Sequence, residues 1–137
     1  MYKLYIGMSL QITNKMNWRS QVRRAWKVRK GLVNLVEDHH VIPRQFCEHP
    51  IVKRLDLNLD SGKNLILMPT MEGFSKMALR KNRLLHTGGH VQYNKHVEFI
   101  LDTLIPIKCP KLLHEVYWGV HDYLKYACRQ NTGIPWK

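Results

Sequence analysis

The stretch NLVEDHHVIPRQF, residues 34–46, decides how this chain is read. An apolar run passes through Glu37 and Asp38 into two adjacent histidines, His39 and His40, and Pro43 follows three residues after the second. The segment LVNLV (residues 32–36) has the composition of a strand, so the paired imidazoles fall at a strand end. An imidazole pair in that place is either structural or holds a metal and activates a water.

Upstream, Trp18, Val22, Ala25, Trp26 and Arg29 recur at helical spacing over 17–30, and Arg19, Arg23, Lys27 and Lys30 share the remaining surface. This predicts a basic amphipathic helix that Gly31 stops. Met8, Leu10 and Ile12 alternate with polar neighbours, as a strand does. Downstream, 46–63 is turn-rich, and NLILM (64–68) reads as a short strand closed by Pro69. Residues 71–85 fit either a basic helix or a loop. After HTGG (86–89), Tyr93, Val97, Ile100, Leu101 and Leu104 mark a helix that ends before Pro106. Leu112, Leu113, Val116, Tyr117, Val120, Tyr123, Leu124 and Ala127 mark a last one, about 111–129, and Gly133 and Pro135 leave a short tail.

At 137 residues the chain has room for one folded domain, 1–137, and its 45% apolar content is that of a folded protein. The charge is unusual: 22 Lys and Arg against 10 Asp and Glu give a formal +12. No acid precedes Glu37, and Lys76, Arg80, Lys81 and Arg83 form a second basic cluster. Such an excess favours a polyanionic partner, nucleic acid first, over a merely solvated surface. Three cysteines, Cys47, Cys109 and Cys128, form no CxxC pair, which argues against a disulfide framework or a cysteine zinc knuckle. The first residues lack the apolar core of a signal peptide and no run reaches membrane-spanning length, so the expected setting is cytoplasmic or that of a delivered effector.

Four of the eight histidines can be grouped from the residues alone. His39 and His40 end one strand; His86 and His90 flank TGG at a helix start after the second strand. A strand–loop–strand–helix order can bring these places together. Three imidazoles suit a first-row divalent metal with positions left for water and substrate, and a fourth beside it suits a general base. On spacing alone the bland alternative stands level: His86 a turn residue, His90 a solvent-facing helix residue. His49, His96, His114 and His121 read as surface or packing residues, Cys47 as an incidental thiol, and Trp18 and Trp26 as the core side of the first helix.

EDHHVIP, SGKNLILMP and HTGGHVQYNKHV, in that order, together resemble the HNH/endonuclease VII (ββα-metal) nuclease superfamily. Within it they are similar to the AHH family, known mainly from bacterial polymorphic toxins. The likeness covers about 33–104. It implies an α+β fold: a treble-clef-like ββα-metal core, with the basic helix before it and a helical extension after it. It also implies a role for each motif residue. His39, His86 and His90 would hold one divalent metal ion (Mg²⁺, Mn²⁺, Zn²⁺ or Ni²⁺). His40 would be the general base, with a swap against His39 left open. Asn64 would brace the loop and orient the base, Pro43 would fix the chain as it leaves the site, and Tyr93 would pack or touch phosphate. The alanine that names the family is Asp38 here, which could be a further ligand, a partner for an imidazole N–H, or neutral.

The resulting expectation is metal-dependent hydrolysis of nucleic-acid backbone, DNA before RNA, with little sequence specificity. Arg19, Arg23, Arg24, Lys27, Arg29, Lys30, Arg80, Lys81 and Arg83 would hold the strand. The rival from another class is a non-catalytic basic protein that binds or packages nucleic acid on the same scaffold. If the chain is a toxin, an immunity protein is an expected partner; with its own Met1 and no delivery domain it would be a stand-alone or excised form, and a mobile-element nuclease fits as well.

Overall fold

Gly31 is where the first helix must end. In the computed structural model, which describes residues 21–137, α1 (Gln21–Arg29) closes in a left-handed turn at Gly31 (φ +66°). The Leu32 N–H reaches the Lys27 carbonyl at 2.8 Å and the Gly31 N–H reaches that of Val28 at 3.1 Å. This paired pattern satisfies carbonyls that a helix end leaves without partners. Trp26 is the buried residue of α1. The strand pattern over Met8–Ile12, Trp18 and Arg19 lie outside the described residues.

The first strand is shorter than its composition suggests. Asn34 adopts a left-handed conformation (φ 64°) in a turn closed by the Leu35 N–H on the Leu32 carbonyl, so pairing begins only at β1 (Val36–His40). β2 (Leu65–Pro69) runs antiparallel to it, with Val36 opposite Pro69, His39 opposite Ile66 and His40 opposite Leu65. Between them lies a short helix, α2 (Pro50–Arg54), where the sequence suggested only turns. His49 caps it by accepting the Ile51 N–H at Nδ1, Pro50 opens it, and Ile51 and Val52 are buried. Five residues are too few for helical periodicity to register in a sequence.

The open stretch 71–85 is part helix and part loop. Thr70 caps α3 (Met71–Lys76) through the Gly73 N–H. A Cβ on Gly73 would stand 1.8 Å from the Leu35 carbonyl oxygen, so only glycine lets α3 cross the turn before β1. α4 (Val91–Leu104) buries Tyr93, Val97, Leu101 and Leu104, and α5 (Pro110–Gln130) buries Leu113, Tyr117, His121, Leu124, Ala127 and Cys128. These stripes pack on Val41, Ile42, Phe46, Ile51, Ile66 and Met68 in a common core. The order β1, β2, α4 is that of a ββα nuclease core, within an α+β chain. None of the helices among the described residues is long and apolar enough to cross a membrane.

Candidate metal centre

Three imidazoles converge where β1, the loop after α3 and the start of α4 meet. His39 projects from β1. The His86 N–H is tied to the Pro69 carbonyl at the end of β2 (2.9 Å), and His90 is the residue from which α4 departs. One ligating atom from each lies within 4.8 Å of the others. Ring centroids are 5.6 Å apart for His39 and His86, 5.1 Å for His39 and His90, and 5.7 Å for His86 and His90. The non-helical backbone at His90 (φ −133°, ψ 61°) sets it apart from the α4 helical register, so the four-residue spacing is bridged by loop geometry rather than by one helix face.

Each ring also meets a group on its other side. His86 Nδ1 is 2.7 Å from Glu37 Oε2, and His90 Nδ1 is 2.9 Å from Asn94 Oδ1. Both oxygens only accept, so both Nδ1 atoms carry the proton and the lone pairs sit on Nε2. His39 Nε2 lies 3.8 Å from Cys128 Sγ, while His39 Nδ1 is buried with no hydrogen-bond partner. A buried imidazole nitrogen left unsatisfied is costly, and coordination to an ion would remove that cost. His39 is 1% exposed; burial first, then the neighbouring His90, His86 and His40, push its pKa down to about 2. It is therefore neutral, the form a ligand needs. Burial likewise pushes the Cys128 thiol up to about 11 and keeps it protonated. On these grounds the residues fit a divalent ion.

His40 lies outside this trio. Its Nε2 is 2.9 Å from Asp60 Oδ1, and Arg44 Nε stands 3.4 Å from the same oxygen. With the carboxylate accepting at Nε2, the basic lone pair of His40 is on Nδ1. Asn64, 4% exposed, holds the segment on either side of that pair. Its Oδ1 accepts the Ile42 N–H (2.8 Å), and its Nδ2 donates to the carbonyls of Ile42 (2.9 Å) and Leu59 (2.8 Å). The Val41 N–H meets the Asn64 carbonyl at 2.8 Å. Tyr93 is fully buried and donates its hydroxyl to the Val41 carbonyl, which makes it a brace and not a surface contact. Pro43 is buried as the chain leaves the site.

Asp38 is an ion-pair partner: Arg23 and Lys27 of α1 both reach its Oδ1, Lys27 at 3.0 Å. Of the other basic residues, Arg24, Arg29, Lys30 and Lys81 are exposed, and Arg19 is outside the described residues. Arg80 and Arg83 are engaged at the end of α5. Arg80 Nη2 donates to the Arg129 carbonyl (2.7 Å), and Arg83 Nη1 donates to those of Cys128 (2.8 Å) and Arg129 (3.0 Å).

The sequence matches the model of a nuclease family of the HNH/ENDO VII superfamily with conserved AHH, over residues 22–107. The chain belongs to the AHH family. As an AHH protein it is a nuclease by family, and its substrate class is nucleic acid. No curated protein and no solved structure matches the chain significantly. The matched stretch contains His39, His40, Asn64, His86 and His90, the residues singled out in the sequence. Glu37 and Asn94 lie within the quoted stretches EDHHVIP and HTGGHVQYNKHV without a role having been read for them, and an acid two residues before His39 on a strand was the available signal for one of them. Asp60, His121, Cys128 and the tail residue Trp136, all of which touch site residues, had no such signal.

Proposed function

We propose that this AHH protein is an endonuclease that hydrolyses nucleic-acid phosphodiesters, DNA before RNA, with a divalent metal held by His39, His86 and His90. The observation that carries the reading is the three-imidazole cluster, in which every ring has a second group behind it and one buried nitrogen is unsatisfied. When bound, the ion would neutralise a phosphate oxygen and stabilise the departing 3′ oxygen.

The protein's own residues supply the rest. His40 accepts a proton at Nδ1 from an in-line water, while Asp60 holds the Nε2 proton and favours the imidazolium that results. Asn64 fixes both the turn after His40 and the Leu59 carbonyl next to Asp60, so base and carboxylate keep their spacing. Arg24, Arg29, Lys30 and Lys81 give backbone affinity that falls steeply with salt, without reading bases. Wherever the chain acts as a toxin, an immunity protein would be its partner.

The test is plasmid nicking by metal-stripped protein resupplied with Mg²⁺, Mn²⁺, Zn²⁺ or Ni²⁺, beside His40→Ala, with binding of both followed by gel shift. Metal-dependent nicking is expected, and His40→Ala should lower it by about 10²–10⁴-fold without weakening binding. Binding without cleavage of DNA or RNA under every metal would leave the packaging reading instead.

A further inference from the structure

Residues 131–137 follow the last helix and lie beyond the stretch matched by the family. They do not trail away. Asn131 turns the chain in a left-handed conformation (φ 51°) and donates its Nδ2 to the Asn82 carbonyl at 2.6 Å. The Tyr123 hydroxyl donates to the Gly133 carbonyl at 3.2 Å, and Ile134 packs on the core. The Trp136 carbonyl then accepts the Tyr93 N–H at 3.2 Å. That N–H belongs to the first turn of α4, where no intrahelical acceptor exists, so the tail caps the helix that begins at His90.

This places the Trp136 indole on the metal centre. Its ring centroid is 5.2 Å from that of His39, 4.9 Å from His90 and 5.3 Å from Tyr93. His39 and His90 thus share one aromatic neighbour that arrives from outside the ββα core. We propose that Trp136 is a positioning residue of the metal site: it forms the wall that holds the His39 and His90 rings in ligating orientation and keeps water from that side. The reading rests on the three-histidine centre. An imidazole ring can turn about two side-chain bonds, and packing against a fixed indole removes that freedom before the ion arrives. An apolar neighbour also lowers the local dielectric and strengthens the pull between the ion and the ring nitrogens. Cys128 of α5 meets the His39 ring as well, its Sγ 3.8 Å from Nε2.

The experiment uses the full chain, metal-stripped and titrated with Co²⁺. Visible absorbance reports coordination, and tryptophan emission reports proximity, because Co²⁺ quenches an indole only at close range. Wild type should bind and lose emission. Trp136→Phe should bind within a few-fold of wild type while most of the quenching disappears. Trp136→Ala should bind about 10- to 100-fold more weakly, the loss typical when a group supporting the ligands is removed. Melting curves in chelator show whether Trp136→Ala is folded; if it is not, the Trp136→Phe quenching carries the test. Affinity for Trp136→Ala equal to or tighter than wild type, or full quenching in Trp136→Phe, would overturn the proposal. No Co²⁺ coordination by wild type would instead sink the metal centre itself, and the proposal with it.

Discussion

His121 is 1% exposed and gives its Nε2 to Asn64 Oδ1 at 3.1 Å, the same oxygen that receives the Ile42 N–H. Burial, and then the charges of Lys125 and Lys63, push its pKa down to about 3. A histidine held below its ordinary value of 6.5 stabilises the fold fully above that value. The stability is lost as pH falls towards the folded value, because the unfolded chain takes up the proton first. By pH 5 the cost is about 2 kcal/mol, at ~1.4 kcal/mol per pH unit. Urea unfolding in chelator at pH 7.5 and pH 5 should therefore show His121→Gln losing about 2 kcal/mol less than wild type over that range. Parallel losses would mean that the fold does not hold the His121 imidazole below its ordinary value. The sequence marked His39, His40, Asn64, His86 and His90 because motif and order specify them locally. It could not mark His121, whose partner Asn64 stands 57 residues away and is met only through packing. The same holds for Cys128, 89 residues from His39.

At the scale of elements, the residue that departs from the family name acts as an anchor. Asp38 joins α1 to β1 through Arg23 and Lys27, with side-chain exposures of 11%, 17% and 21% for Arg23, Lys27 and Asp38. Groups so far from water interact more strongly than a surface pair, and removing one leaves the others poorly solvated. Asp38→Ala should cost about 2 kcal/mol, below the range for fully buried pairs because all three keep some water. Amide exchange over 21–29 should accelerate, while exchange over Val91–Leu104 and uptake of metal stay as in wild type. Unchanged protection over 21–29 would show that burial of Trp26 alone docks the helix. The elements themselves were legible in proportion to their length. α4 and α5 carry enough turns for an apolar stripe to show, and β2 is bounded by Pro69. α2 is too short to show one, and the start of β1 is set by the left-handed turn at Asn34, which an apolar run conceals.

For the whole molecule, the proposed metal centre draws on β1, on the loop after α3 and on the start of α4, with Cys128 and Trp136 brought in from residues 128–136. These parts converge only in the folded chain, so an ion bound there stabilises the fold and not the unfolded state. At a free concentration 100 times the dissociation constant the gain is about 2.7 kcal/mol. For a chain of this size that raises the melting temperature by roughly 10 °C. The carboxylate behind His86 should set much of this gain: Glu37 fixes the ring's proton on Nδ1 and so keeps Nε2 available. Glu37→Gln can still accept through its amide oxygen but brings no charge, so metal binding should weaken by about 10-fold, which removes roughly half of the gain. His86→Ala removes a proposed ligand and should abolish the shift. Because Glu37 is exposed, its loss costs the metal-free protein little, and the melting temperature in chelator should move by no more than 1–2 °C, about what a change of a few tenths of a kcal/mol produces. Differential scanning fluorimetry with and without Mn²⁺ or Zn²⁺ separates the outcomes. A graded series, wild type above Glu37→Gln above His86→Ala, means that folding, ligand orientation and ion binding are one linked equilibrium. An undiminished shift in His86→Ala would put the ion elsewhere on the protein.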